Sequence, residues 1–145
     1  ELLAIHAQLF KGVYDWAGKI RTVDIKKNVG SAEFFLLRSK ILDASKFVFG
    51  ELGAENHLCG LPEKQFVGRL AYYYDQLNYI HPFREGNGRA QRIFWSRIAR
   101  DAGYEIDWDD VVGDENDEAS RIAAEAMDRS GLETMFERIV RQTIT

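Results

Sequence analysis

The chain has 145 residues, 46% hydrophobic and 29% charged, with a formal net charge of −4. That is enough sequence for one domain with a buried core, and the negative balance argues against a broad nucleic-acid or anionic-membrane surface while leaving room for a local basic pocket. The single cysteine, Cys59, excludes an internal disulfide and fits a reducing compartment. No signal peptide, bilayer-spanning apolar run or repeat is present. The chain starts already inside a helical pattern, so we expect a domain cut from something longer. Nothing in it reads as a linker, and residues 1–145 are expected to form a single domain.

In chain order, Leu2, Leu3, His6, Leu9, Phe10 and Val13 mark one face of a first helix that should end before Gly18. His6 on that face reads as a hydrogen-bonded core residue, because no partner lies at metal-ligand spacing. Residues 19–31 change character. Arg21, Val23 and Ile25 alternate with Thr22 and Asp24, and Asn28 and Gly30 supply turn chemistry, which predicts a short β-hairpin. An exposed strand edge there is a template for an extended peptide.

Phe34, Leu37, Ile41, Ala44, Val48 and Leu52 then step by threes and fours toward a stop at Gly53. A loop follows with His57 and Cys59, half a metal site at most. Pro62 opens the next helix, whose apolar face is Phe66, Leu70, Tyr73 and Leu77. Tyr72, Tyr73 and Tyr74 point three ways around it and read mainly as packing. Beyond residue 92, Ile93, Phe94, Ile98 and Ala102 form another face, with Gly103 as its cap. Residues 107–110 make an acidic turn. Acidic residues 114–118 suit the start of a helix with inner residues Ala119, Ile122, Ala123, Ala126 and Met127. Gly131 should separate that helix from a last one carrying Leu132, Met135, Phe136, Ile139 and Val140, with Arg138 and Arg141 near its negative end. The fold class is therefore all-α, a helical domain with one short β-hairpin.

The densest chemistry lies in residues 80–92, Ile-His-Pro-Phe-Arg-Glu-Gly-Asn-Gly-Arg-Ala-Gln-Arg. A helix should stop at Pro82, because the residue before a proline avoids the α region. Gly86, Asn87 and Gly88 can bend the backbone and bring its N–H groups close to an anion, on which the next helix also directs its positive end. Arg89 and Arg92, three residues apart, share a helix face and can grip neighbouring phosphates. Glu85 can hold Mg²⁺, which often binds one carboxylate together with substrate phosphates. His81 at the mouth of the turn can take a proton from an incoming hydroxyl.

This run resembles the signature of Fic proteins, His-Pro-Phe-x-Asp/Glu-Gly-Asn-Gly-Arg-x-x-Arg, with every specified position filled. The likeness extends from residues 14–21 to the helix at 132–140. It implies transfer of AMP from ATP to a hydroxyl side chain of a target protein. By resemblance His81 is the general base, Glu85 holds Mg²⁺ between the α- and β-phosphates, and Asn87 binds the α-phosphate. Gly86 and Gly88 complete the anion hole, and Arg89 and Arg92 bind the β- and γ-phosphates. The hairpin, residues Arg21, Thr22, Val23, Asp24 and Ile25, becomes a flap that positions the target by strand pairing.

Two rival readings remain. Doc-like phosphotransferases, relatives that transfer the γ-phosphate, carry lysine where this chain has Gly88 and lack the second arginine, so Gly88 and Arg92 favour AMP transfer. A non-catalytic nucleotide-binding module would need no base, and His81 is intact. Many Fic proteins are restrained by a helix with Ser/Thr-x-x-x-Glu-Gly/Asn, and no Ser or Thr here begins that pattern. The resemblance therefore implies an inhibitory glutamate on an antitoxin or on a segment outside this chain. It also implies a toxin acting in the cytoplasm, or an effector secreted into a host cell, with neither nucleic acid nor membrane as partner.

Overall fold

The longest helix, α3 (Glu63–Ile80), buries Phe66, Val67, Leu70, Ala71, Tyr73, Tyr74, Leu77 and Ile80, and most of the other helices pack against it. In this computed structural model, residues 1–27 and 33–143 are described. The remaining helices are α1 (Leu2–Phe10), α2 (Ile41–Ala54), α4 (Asn87–Asp101), α5 (Glu115–Ala126) and α6 (Ser130–Ile139). The α3 face is the one its sequence period specifies, and burying side chains of this size supplies the main favourable term in folding.

Helix boundaries differ from the sequence reading in instructive ways. The first helix stops at Phe10, and the side it buries is Leu2, Ile5, His6 and Phe10. Leu3, Leu9 and Val13 are exposed. The chain turns back at once, and Gly18 passes so close to α1 that a Cβ there would lie 2.7 Å from the Ala7 Cβ. Phe34 and Leu37 lie ahead of α2, both exposed, and Gly53 sits inside the helix rather than ending it. Reversal into α3 instead uses Asn56, His57 and Leu58, all in the left-handed region. Helix α5 turns only Ala119 and Ala123 fully inward; Met127 is 90% exposed and caps the helix in a left-handed conformation. Gly131 lies within α6, where its missing side chain lets the helix close on Ala119.

The sheet content also moved. Residues 19–25 form no strand. The pairing begins further on, as a bridge between Lys26 and Phe34, with Phe35 N–H donating to the Ile25 carbonyl (3.0 Å) and Lys27 N–H to that of Glu33 (3.0 Å). Asn28 and Gly30, the expected turn residues, lie outside the described residues. A two-stranded antiparallel sheet that the sequence did not announce joins β1 (Tyr104–Ile106) to β2 (Val140–Gln142). Val140, read as the end of the last helix, is extended instead.

Phe136 on α6 is wholly buried and packs edge-on against Tyr74 of α3 and Trp108. Phe136→Ala should therefore cost about 3–5 kcal/mol, the usual range for an emptied aromatic core site. Urea unfolding of the variant beside the parent protein measures it, through the midpoint at unchanged slope.

Candidate active site

Helix α3 ends at Ile80 because Pro82 cannot continue it. His81 closes the last turn with its N–H on the Leu77 carbonyl (3.0 Å) and sits in the left-handed region at φ 46°. The chain then crosses to Gly86, at φ 78°, which starts α4. A Cβ on Gly86 would lie 2.2 Å from the Phe10 ring, so both the conformation and the space require glycine.

Few backbone groups of this loop pair with one another, and side chains from elsewhere hold them. Asn87 accepts from the Phe83 N–H (2.9 Å) and donates to the Phe83 carbonyl (2.7 Å). His6 is fully buried and stacks on Phe83 at 3.8 Å. Its Nδ1 accepts from the Gly18 N–H (2.8 Å), so the proton sits on Nε2, which donates to the Glu85 carbonyl (2.8 Å). The core role read for His6 holds, with the added task of bracing the loop from below.

His81 stacks its ring flat on Phe35, centroids 3.8 Å apart and planes 1° from parallel. Burial, helped by the nearby Arg21 cation, lowers its pKa to about 4. The imidazole is therefore neutral at pH 7 and free to accept a proton. It lines a cleft of about 520 Å³ together with Phe35, Asn87 and Gly88. The opposite wall is α5, through Asn116 and Ser120 among others. No side chain caps the N-terminus of α4, so its first N–H groups and positive dipole end are available to an anion.

Of the motif residues, His81, Asn87 and Gly88 line this cleft, whereas Glu85, Gly86, Arg89 and Arg92 do not. Arg89 and Arg92 are exposed on the first turns of α4, and among the described residues neither meets a carboxylate. Arg92 lies 5.5 Å over the ring of Trp108, whose indole N–H donates to Ser96 (2.9 Å). Glu85 is exposed. Among the described residues, no set of three or more His, Cys, Asp or Glu side chains is arranged around a metal.

Two of the site residues do more than the sequence suggested, and one is misplaced by it. The Asn87 amide bonds Phe83 in both directions and so builds the turn, and its second amide N–H is used in neither bond. Arg21 is not an accessible strand residue. It is 3% exposed, its N–H donates to the Pro82 carbonyl (2.8 Å), and its guanidinium donates to the carbonyls of Val23, Leu36, Ile80 and His81. Thr22, Val23 and Asp24 are exposed, and Asp24 accepts from the Arg38 N–H (2.7 Å). Ile25 is half-buried and its carbonyl is taken by Phe35.

Sequence reasoning missed Phe35 beside His81 and Trp108 beside Arg92. It also missed a polar chain crossing three helices. In that chain Trp95 donates to Gln91 (2.9 Å), Gln91 to Asn78 (2.7 Å) and Asn78 to Ser120 (3.2 Å), with Tyr74 bonded to Asn116. Apart from the Trp95–Gln91 pair, four residues apart on α4, the partners are remote in sequence, so no local pattern marks them.

Residues 1–99 match the model of the Fic/DOC family. The protein adenylyltransferase VbhT of Bartonella schoenbuchensis is 40% identical over 141 residues, 97% of this chain and 28% of that protein. The probable protein adenylyltransferase Fic of Salmonella typhimurium is 37% identical over 141 residues, 97% of this chain and 68% of that one. Among solved structures, the BepC protein of Bartonella tribocorum with bound AMPPNP superposes with a TM-score of 0.89 at 26% identity, covering 99% of this chain and 74% of that one. The N-terminal Fic domain of a Bartonella quintana protein with bound ADP does so at 0.88 and 30%, covering 98% and 72%. This chain thus spans little more than a quarter of the length of VbhT.

Gly86→Ala should cost about 1–3 kcal/mol from backbone strain alone, with the Phe10 overlap added. Combining it with Phe10→Ala should recover the overlap part in a double-mutant cycle. Stabilities that simply add would show that the two side chains never compete for this space.

Proposed function

The chain belongs to the Fic/DOC family, and from that membership we propose that it is a protein adenylyltransferase, moving AMP from ATP to a Ser, Thr or Tyr hydroxyl of a target protein. The observation that carries this is the neutral His81 facing the same cleft as the uncapped start of α4. A base and an anion site side by side are what transfer of a phosphoryl-linked group to a hydroxyl requires. The hydroxyl oxygen attacks the α-phosphorus while the bond from that phosphorus to the departing pyrophosphate breaks. The hydroxyl proton passes to His81. Backbone N–H groups at Gly86 and Gly88 receive the α-phosphate, and Arg89 and Arg92 receive the β- and γ-phosphates.

The residues present fit Mg²⁺ in the mode that ion prefers. Glu85 offers an exposed carboxylate beside the anion site, and the ATP phosphates supply further oxygens, so no all-protein cage is needed. Mg²⁺ held there would neutralise charge building on the phosphates. Residues 22–25, of which Thr22, Val23 and Asp24 are exposed, are the proposed target-positioning edge, with Arg21 as its buried anchor. No helix among the described residues is long and apolar enough to cross a membrane.

Control follows from Arg92, which has no carboxylate partner among the described residues. A glutamate brought by an antitoxin or another segment would pair with it and exclude the γ-phosphate. The chain by itself is active under this reading, as a toxin in its own cytoplasm or as an effector in a host.

Labelling a cell lysate with ATP carrying its label on the α-phosphate tests the activity. His81→Ala should lower transfer by about 10²–10⁴-fold and leave ATP affinity unchanged. Near-normal labelling by a folded variant contradicts the assignment of the base. Because the folded pKa of His81 is pushed down to about 4, its neutral form dominates above that value. The rate should then stay level from about pH 8 down to about pH 5, not fall near 6.5 as an unshifted histidine would make it.

A further inference from the structure

We propose that Arg21 positions His81: its guanidinium ties the end of α3 to the segment carrying Phe35, and this tie sets where the imidazole stands. The proposal rests on the base role given to His81 above, but its geometry is independent of that role. A buried cation normally needs a carboxylate, because its hydration is lost. Arg21 is 3% exposed, and among the described residues no carboxylate hydrogen-bonds it. Four carbonyls replace the water. Those of His81 (2.7 Å) and Ile80 (3.2 Å) lie at the C-terminal end of α3, where helix carbonyls lack partners and the dipole is negative. Those of Leu36 (2.5 Å) and Val23 (2.7 Å) belong to the segments on either side of the Lys26–Phe34 bridge.

The consequence for His81 follows from what else Leu36 and Phe35 touch. Leu36 N–H donates to the Tyr79 carbonyl (3.1 Å), one turn before His81, and the Phe35 ring lies flat against the imidazole. One guanidinium thus grips the backbone under the histidine and the backbone beside the ring that it stacks on. His81 holds φ 46°, in the left-handed region that side-chain-bearing residues seldom adopt. Such a conformation persists only where its surroundings over-determine it. Lysine, with three donors on one point, cannot reproduce a planar fork that reaches four carbonyls on three segments.

Arg21→Lys and Arg21→Gln test this in the 145-residue chain, with ring-labelled histidine followed by NMR, ATP affinity followed by calorimetry, and transfer from α-labelled ATP into lysate protein. The charged groups lining the cleft around His81, namely Lys27, Asp114, Asp117, Glu118, Arg121 and Glu125, are the same in all three proteins. In Arg21→Lys the fold and ATP affinity should survive, while transfer at saturating ATP falls by roughly 10²-fold and the His81 ring signals move. In Arg21→Gln the His81 titration should also rise toward its ordinary value, because a neighbouring cation is gone. Full transfer by Arg21→Lys, or His81 ring signals and titration unchanged in both variants, overturns the proposal. Should Arg21→Gln fail to fold, Arg21→Lys still decides. If the parent chain transfers no AMP, the functional reading fails on that arm, and the ring signals alone judge Arg21.

Discussion

The loop between α3 and α4 must find partners for backbone groups that no helix supplies, and most of the surrounding structure is arranged to meet that need. Three side chains do so from three directions. His6 bonds the Glu85 carbonyl from beneath, Asn87 bonds both backbone groups of Phe83 from within, and Arg21 bonds the carbonyls of Ile80 and His81 from behind. Buried backbone polar groups left unpaired are costly, so each partner is needed for the loop to hold one shape. Helix α1 serves both the core, through Leu2 and Ile5, and this bracket, through His6 and the Phe10 ring against Gly86.

The same arrangement sorts the cations by use. Arg21 is withdrawn from water and spends its donors on carbonyls, which leaves it no role with an incoming phosphate. Arg89 and Arg92 stay exposed, without carboxylate partners among the described residues, beside a helix end that already favours anions. Elsewhere Arg121 pairs with Glu118 and Glu125, and Arg138 with Glu115. Those surface pairs contribute little each, about 0–1 kcal/mol. His81 is kept neutral by burial and by the Arg21 cation, the state that its proposed role as base requires at neutral pH.

Much of this was legible in the sequence. The motif at 81–92 carried its own context, because a proline stop and a glycine start mark its turn, and α3 and α6 bury the faces that their periods predict. For α4 only Phe94 and Ile98 of the predicted face are buried, beside Ala90, Gln91, Trp95 and Ala99. His6 could be placed in the core for want of a metal partner. What stayed hidden depends on distant pairing. Arg21 alternates with its neighbours like a strand residue, and only the approach of α3 turns it inward. The strands at Tyr104 and Val140 are three residues each, too short for a period to show. The bracing role of Asn87 was hidden as well, because the Phe83 backbone that it bonds is reached only across a turn.

The central claim is an orientation, with the α-phosphate on the start of α4 and facing His81. A crystal structure of this chain with a non-hydrolysable ATP analogue and Mg²⁺ tests it most directly. The account predicts the α-phosphate on the N–H groups between Gly86 and Gly88, within reach of His81, and the β- and γ-phosphates toward Arg89 and Arg92. A triphosphate turned round to present its γ-phosphate to His81 would contradict it. So would one seated in the apolar cleft that Leu2, Leu42, Phe49 and Phe94 line, away from the loop.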